Sequence, residues 1–168
     1  MAELGQQRRS GFKLEAGQFI HQANATFAGV AAHSGTSYVE HSAKLFRDPV
    51  EGDWIRVTVA GQVTGTASTK SVLVQLDGVA GIINYTMVVP AADTGSYLYE
   101  LLIVFKPSAG IVYHSTKERS AGVNSVATQQ ASQNNVGNPI TIRISTKVTA
   151  GTESISVRNS VIECGGSS

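Results

Sequence analysis

The residue best placed for acid–base chemistry in this sequence is Glu100, which interrupts the most apolar run of the chain, SYLYELLIVFK. Burial raises the pKa of a carboxyl group, and a glycosidase needs such an acid about 5–10 Å from a second carboxylate. No second acid can be assigned, because Asp93 and Glu118 fall in segments that we predict to be loops, and Glu153 falls where a predicted loop meets the last strand. We therefore expect Glu100 to form a structural ion pair, for which Arg143 is a candidate partner.

Four histidines and one cysteine are the other side chains that could bind a metal ion or act as nucleophiles. The histidines are His21, His33, His41 and His114, and none of them forms an HExxH pair. Convergence of His33 with His41 is the one metal site left open. A single cysteine, Cys164, can form neither an intrachain disulfide nor a cysteine cluster. We expect hydrogen-bonded histidines and no bound metal or other cofactor.

Two motifs that usually accompany catalysis or nucleotide binding are missing from the sequence. No serine lies in a GxSxG turn, and the glycine-rich segments GTASTK and GVAGI lack the Gly-Lys-Ser/Thr of a phosphate-binding loop. Nucleophilic catalysis and nucleotide binding are therefore not expected. The sequence predicts a protein that is not an enzyme.

The composition limits the kinds of partner that the chain can bind. Of its 168 residues, 13 are Lys or Arg and 12 are Asp or Glu, so 15% are charged and the net charge is +1; about 25% is typical. Such a chain has little means of attracting nucleic acid through its phosphates. No stretch approaches the roughly 18 apolar residues of a membrane helix, and the first residues lack an apolar targeting segment. We expect neither nucleic acid nor a membrane as a partner, and we expect other proteins instead.

Residues 52–78, GDWIRVTVAGQVTGTASTKSVLVQLDG, show most clearly which elements build the fold. Apolar and polar residues alternate over 54–59, which indicates a half-buried strand. A polar break follows over 61–70, and an apolar register resumes over 72–76 before the turn at Asp77-Gly78. The stretch therefore predicts a strand, a loop and a second strand.

The remainder of the chain repeats this pattern. An edge strand is predicted at 36–47, ended by Asp48-Pro49, and a central strand, apolar on both faces, at 96–106. A strand apolar enough to belong to the core is predicted at 82–89. Further strands are predicted at 111–117, 120–130, 140–148 and 153–163. In the last of these the apolar register shifts, so Asn159 is a candidate β-bulge. About eight to ten strands without a clear helix predict an all-β fold, an antiparallel β-sandwich that forms a single jelly roll.

The first residues differ from the rest. Residues 1–17 show neither strand nor helix periodicity, and we predict that they form an extended arm; the alternative is a disordered terminus. Residues 18–32 favour a strand or extended chain, although a short helix over 23–32 stays open. We therefore divide the chain into an arm with a first strand, residues 1–35, and a jelly-roll domain, residues 36–168.

Three features together resemble the small single-jelly-roll virion proteins of tailed bacteriophages. Gly52-Asp53 opens an apolar strand, Thr69-Lys70 precedes a strand that ends in glycine, and the Thr-rich strand in NPITIRISTKVTAGTESISVRNSVIE precedes the final one. The resemblance covers roughly residues 36–164, although relatives commonly carry Trp-Gly where this chain has Ala60-Gly61. It implies a non-enzymatic structural protein of the virion, assembled in the host cytoplasm and usually trimeric.

Two functions follow from this resemblance as expectations. The first is a capsid decoration, or cement, protein that binds the major capsid protein or another virion protein and associates with itself. The arm would supply the contacts, and the partner-binding residues that we expect there are Arg8, Arg9, Phe12, Lys13 and Phe19. The alternative is a tail fibre or knob that binds a receptor or glycan through exposed aromatic side chains such as Tyr38 and Tyr113. A third hypothesis, which rests on Glu100 and not on the resemblance, is a depolymerase.

Overall fold

A computed structural model describes residues 21–26, 34, 36–46, 49–79, 81–105, 112–120, 123–131 and 138–166. The described residues form ten β-strands and no helix. The strands are β1 His21–Thr26, β2 Val39–Phe46, β3 Trp54–Thr64, β4 Lys70–Gly78, β5 Gly81–Val89, β6 Gly95–Phe105, β7 Val112–Ser120, β8 Val123–Ala131, β9 Ile140–Val148 and β10 Ser154–Gly165. Within these residues there is no helix that is long and apolar enough to cross a membrane.

The strands form two antiparallel sheets. The six-stranded sheet has the order β1-β10-β3-β6-β7-β8, and the four-stranded sheet has the order β2-β9-β4-β5. The pairs β1–β10, β2–β9, β3–β6 and β4–β5 are nested, because each earlier strand pairs with a correspondingly later one. This nesting over two sheets is the topology of a jelly roll, to which β7 and β8 add a hairpin at one edge. The predicted fold class is therefore confirmed.

The core lies between the two sheets. In each strand that contributes to it, every second side chain is buried, as the period of a strand requires. Ile55, Val57 and Val59 of β3 face Ile140, Ile142 and Ile144 of β9 in a single apolar cluster. These six side chains are at most 1% exposed. The inward register predicted for β3 and for β9 is correct.

The predicted start of the loop after β3 is wrong, and one predicted bulge is confirmed. The polar break was placed from Gly61, but β3 continues to Thr64, because Gly61 pairs with Tyr97 and with Val157 in the middle of the six-stranded sheet. The register of β10 shifts between Val157 and Asn159, where the apolar pattern of the sequence had indicated a bulge.

Of three other strands, two lie where the sequence predicts them in the sheets and one does not. Strand β2 lies at an edge of the four-stranded sheet, as predicted, and β6 lies centrally between β3 and β7. Strand β5 was predicted to be a core strand, but it forms the other edge of the four-stranded sheet. Its inward side chains, among them Tyr85 and Met87, are buried, whereas Ile82 and Val88 are about half exposed on its outer face.

Candidate functional site

The five residues predicted to bind a partner, Arg8, Arg9, Phe12, Lys13 and Phe19, lie outside the described residues, and so does the arm itself. The structure does describe the strand that follows them. Strand β1 forms an edge of the six-stranded sheet, and His21 pairs with Cys164 of β10. The chain therefore enters the sandwich at the edge of a sheet and at the end where β10 finishes. The predicted division at residue 35 stays a prediction.

Glu100 and Arg143 do not come together. Glu100 is half-buried on the outer face of the six-stranded sheet, with Thr58 and Lys117 at the paired positions of the neighbouring strands. Arg143 lies on the four-stranded sheet, where it pairs with Glu40. The candidate ion pair between Glu100 and Arg143 is therefore wrong.

Of the four histidines, the structure describes the side chain of His41 alone. Its Nε2 atom is hydrogen-bonded to the hydroxyl group of Thr146, a residue buried in β9. Residue 33 lies outside the described residues, so its convergence with His41 is not tested. No group of three or more His, Cys, Asp or Glu side chains that could hold a metal ion occurs in the part of the chain that the structure describes.

The buried acid is instead Glu153, in the turn between β9 and β10. Its carboxylate accepts hydrogen bonds from the backbone N–H of Ser68, at 2.6 Å, and from the Ser68 hydroxyl group. Its Oε1 atom lies 3.6 Å from the Nζ atom of Lys70, and both side chains are almost completely buried. Burial raises the pKa of Glu153, but the Ser68 hydrogen bonds and the charge of Lys70 outweigh it, so the pKa is lowered.

The ammonium group of Lys70 is held by backbone carbonyl groups as well. Its Nζ atom donates to the carbonyl oxygens of Gly65, of Ala91 at 3.1 Å and of Asp93 at 3.5 Å. These carbonyls belong to the β3–β4 and β5–β6 loops, and Glu153 belongs to the β9–β10 turn. We call this group of residues the buried cluster. Its charges and donors have partners, so it connects three loops at one end of the sandwich and does not resemble a catalytic site.

The strand period contained a signal for the buried cluster. Lys70 lies two residues before Val72, and Glu153 lies two residues before Ile155, so the alternation of β4 and of β10 directs both charged side chains inward. Their assignment to polar loops obscured this. Gly65 also lies close to Glu153, since a Cβ atom at position 65 would lie 2.7 Å from Cγ of Glu153. The sequence pattern did not indicate this contact, because the two residues are far apart in the chain.

A second buried acid lies at the opposite end of β3. Asp53 is 1% exposed and accepts a hydrogen bond of 2.8 Å from the backbone N–H of Val50. Its own backbone carbonyl accepts a hydrogen bond from the N–H of Phe105. Burial raises the pKa of Asp53 to about 6, although the hydrogen bond from Val50 opposes this rise. Asp53 therefore shapes the turn before β3.

A set of paired polar side chains lies on the outer face of the four-stranded sheet. Arg143 donates to Glu40, with 3.0 Å between Nη1 and Oε2, and its Nε atom lies 3.5 Å from Oδ2 of Asp77. On the adjacent strands the amide of Gln75 donates to Asn84 at 2.9 Å. The polar groups thus cross all four strands of the sheet. We call this surface the polar face.

An exposed aromatic ring contacts a lysine of β9, in the same sheet. Tyr38 directly precedes β2 and is 39% exposed, and the Nζ atom of Lys147 lies 4.6 Å from the centre of its ring. An ammonium group at this distance makes a cation–π contact, which holds the ring in place. Of the two aromatic residues expected at the surface, Tyr38 is therefore confirmed as exposed, whereas the side chain of Tyr113 lies outside the described residues.

Comparison with known proteins supplies no family. No family model matches the chain, and no curated protein matches it. Among solved structures, the CBM2 module of the evolved Dit of Lactobacillus casei BL23 phage J-1 aligns over 89% of this chain and 97% of that one, at 7% identity and a TM-score of 0.47.

Two plant lectins are also similar. The Lotus tetragonolobus seed lectin aligns over 95% of this chain and 97% of its own, at 8% identity and a TM-score of 0.44. Lectin II from Ulex europaeus aligns over 93% and 96%, at 9% identity and a TM-score of 0.42. None of the three similarities reaches a TM-score of 0.5, so the assignment of this chain to the jelly rolls rests on its own strand order.

Proposed function

We propose that this chain is a non-enzymatic structural protein of a tailed-phage virion, and that it acts as a capsid decoration protein. The observation that carries the proposal is the nested strand pairing of a single jelly roll, together with the resemblance of residues 36–164 to virion proteins of this kind. A fold alone does not determine a function. We therefore base the specific mechanism on the predicted arm, residues 1–17, and on the edge position of β1, which follows it.

The position of β1 suits an arm that binds a neighbouring subunit. Because β1 is an edge strand, a segment that precedes it could bind a neighbour without breaking any pair of the central strands. An extended arm can add a strand to a neighbour's sheet and bind through backbone hydrogen bonds. In this mechanism Arg8, Arg9 and Lys13 pair with acidic groups of the capsid, while Phe12 and Phe19 fill apolar pockets.

Deletion of residues 2–17 tests this function. Shells that lack the protein are mixed with the purified full chain or with the truncated chain, and co-sedimentation measures attachment. We expect the truncated chain to stay folded, as judged by the fluorescence of Trp54, and to lose attachment. A chain of full length with Arg8 and Arg9 changed to Gln separates charge from the rest of the arm, and we expect it to bind more weakly. Unchanged attachment of the truncated chain would rule out the mechanism.

A second candidate function is glycan binding at the polar face, as in a tail knob. The observation that favours it is that one sheet carries both the exposed Tyr38 ring, which contacts Lys147, and side chains that donate and accept hydrogen bonds, Arg143, Asp77, Gln75 and Asn84. Sugars stack their apolar faces on aromatic rings and bond through their hydroxyl groups to such planar polar side chains.

The two functions predict different results in one assay. If the polar face binds glycans, host cell-wall polysaccharide in the gel should slow the migration of the full chain in affinity electrophoresis, and Tyr38→Ala should abolish this retention. Tyr38→Phe keeps the ring and serves as the matched control, which should retain most of the binding. If the wild-type chain shows no retention on any host polysaccharide, the glycan-binding function is excluded, and the decoration function is unaffected.

A further inference from the structure

The two edges of the four-stranded sheet are protected to different extents. Edge strands usually carry charges, prolines or bulges that prevent pairing with another chain. Strand β2 has a bulge between Glu40 and Ser42, where its register against β9 shifts. Strand β5, GIINYTMVV, contains neither a charged residue nor a proline, and it pairs with β4 without interruption from Lys70–Val89 to Gly78–Gly81.

The outer face of β5 is also unusually apolar for an exposed strand. Ile82 is 53% exposed and Val88 is 52% exposed, and Val79, in the adjoining hairpin loop, is 78% exposed. Between them, Asn84 and Thr86 present uncharged polar side chains to solvent. Among the residues whose side chains the structure describes, these three are the most exposed large apolar ones. An uncharged, apolar and regular edge is the kind of strand that pairs with another strand.

We infer that β5 pairs with β5 of a second copy of this chain, antiparallel and about a twofold axis at Tyr85. The sequence of the strand is complementary to itself about that residue. Antiparallel pairing centred on Tyr85 places Ile82 opposite the partner's Val88, and Asn84 opposite the partner's Thr86. These four positions share one face of the sheet, so apolar side chains meet apolar ones and polar side chains meet polar ones.

A second copy fits this edge better than a charged partner does. With no charge along β5, identical strands do not repel one another, and each copy covers the half-exposed Ile82 or Val88 of the other. The two four-stranded sheets then become one continuous sheet of twice the width. This contact is separate from the arm and from any threefold contact, and it does not depend on capsid attachment. It requires that the full chain form assemblies with an even number of copies.

Thr86→Lys tests the contact, with sedimentation equilibrium of the full chain over a concentration series as the measurement. The substitution puts a lysine from each copy close to the twofold axis, where the two charges repel. We expect the wild-type mass to be an even multiple of the chain mass and to fall twofold in Thr86→Lys. Thr152→Lys, which makes the same change in an exposed turn, should leave the mass unchanged.

A charge pair tests the register itself. In the double variant Asn84→Asp with Thr86→Lys, each new acid lies opposite the partner's new lysine, so the wild-type mass should return. Hydrogen exchange should distinguish the backbone amides of β5 that point to its free edge from those that donate to β4. The edge-directed amides should be protected in the wild type and in the double variant, but not in Thr86→Lys. A wild-type monomer, a wild-type trimer, a Thr86→Lys mass equal to that of the wild type, or a double variant that stays at half mass would each overturn the inference.

Discussion

Lys70 and Glu153 form an ion pair, with 3.6 Å between Nζ and Oε1, whose side chains are 0% and 1% exposed. The first residue of β4 is thereby joined to the residue that precedes β10. Isolated charges in the interior are costly, and each of these is further satisfied by backbone or hydroxyl groups of the surrounding loops. The pair therefore determines how three loops close over one end of the sandwich.

Lys70→Met should destabilise the protein by about 3–5 kcal/mol, because it leaves the Glu153 carboxylate buried without its cation. Urea unfolding at neutral pH, followed through Trp54, measures the change. The control Lys147→Met removes a partly exposed lysine from β9, in the same sheet as β4, and should lower the free energy of unfolding by about 1 kcal/mol or less.

The double variant Lys70→Met with Glu153→Met distinguishes a buried ion pair from simple packing. Replacement of both charges by apolar side chains of similar length removes the unpaired carboxylate, so the double variant should be more stable than Lys70→Met. If the double variant is the less stable of the two, Glu153 does not depend on Lys70 for its charge, and our account of the buried cluster is wrong.

Asp53 should make the protein more stable in mild acid. Its pKa in the folded protein, about 6, lies above its ordinary value of 3.8. Between these values the folded state binds the proton more tightly than the unfolded chain does. The stabilisation from this group is therefore complete below pH 3.8 and is lost as the pH rises through 6.

Asp53→Asn measures this effect. The variant should be more stable than the wild type at pH 7.5, by an amount on the order of 1 kcal/mol after allowance for solvent screening. Its advantage should disappear towards pH 4, where Asp53 of the wild type is protonated. Urea midpoints at pH 4, 5, 6 and 7.5 give the comparison, and a constant difference between the two proteins would contradict the assigned pKa.

Glu153 should give the opposite pH dependence of stability, because its pKa is lowered in the folded protein. The stabilisation from this group is present above pH 4.5, its ordinary pKa, and declines below it.

The fold was largely predictable because alternation is local. Ile140, Ile142 and Ile144 specify the inward face of β9 without reference to the rest of the chain. The shift of the apolar pattern in β10 indicated a bulge at Asn159, and the register does shift between Val157 and Asn159. The edge position of β5 was not predictable, because an apolar strand looks the same in sequence whether one or two strands pair with it.

The candidate sites were less predictable, because they depend on contacts between residues far apart in sequence. Lys70 approaches Glu153 only after β4 and β10 have been placed in opposite sheets at the same end of the sandwich. Arg143 was named as a candidate partner of Glu100 from sequence alone. Which sheet each strand joins decides the pairing, and Arg143 joined Glu40 and Asp77 instead.

Gly61 interrupts the apolar run of β3 without ending the strand, and its surroundings explain why a glycine is needed there. It lies between Tyr97 and Val157 on the inward face, and the Tyr97 hydroxyl group donates a hydrogen bond of 3.0 Å to the backbone carbonyl of Ser156. A Cβ atom at Gly61 would lie 1.8 Å from that carbonyl oxygen and 2.6 Å from the Tyr97 hydroxyl oxygen. The absence of a side chain therefore lets the Tyr97 ring lie across β3.

Gly61→Ala should consequently destabilise the protein by about 1–3 kcal/mol or more, the range found for overpacked cores. Gly151→Ala is the matched control, since a Cβ atom there meets nothing within 4 Å, and it should be nearly neutral. Adding Tyr97→Phe to Gly61→Ala removes the hydroxyl oxygen but leaves the backbone carbonyl of Ser156 in place, so it should recover little stability. Full recovery would show that Tyr97 alone requires the glycine, whereas equal stability of Gly61→Ala and Gly151→Ala would show that β3 and β10 can separate to admit a methyl group.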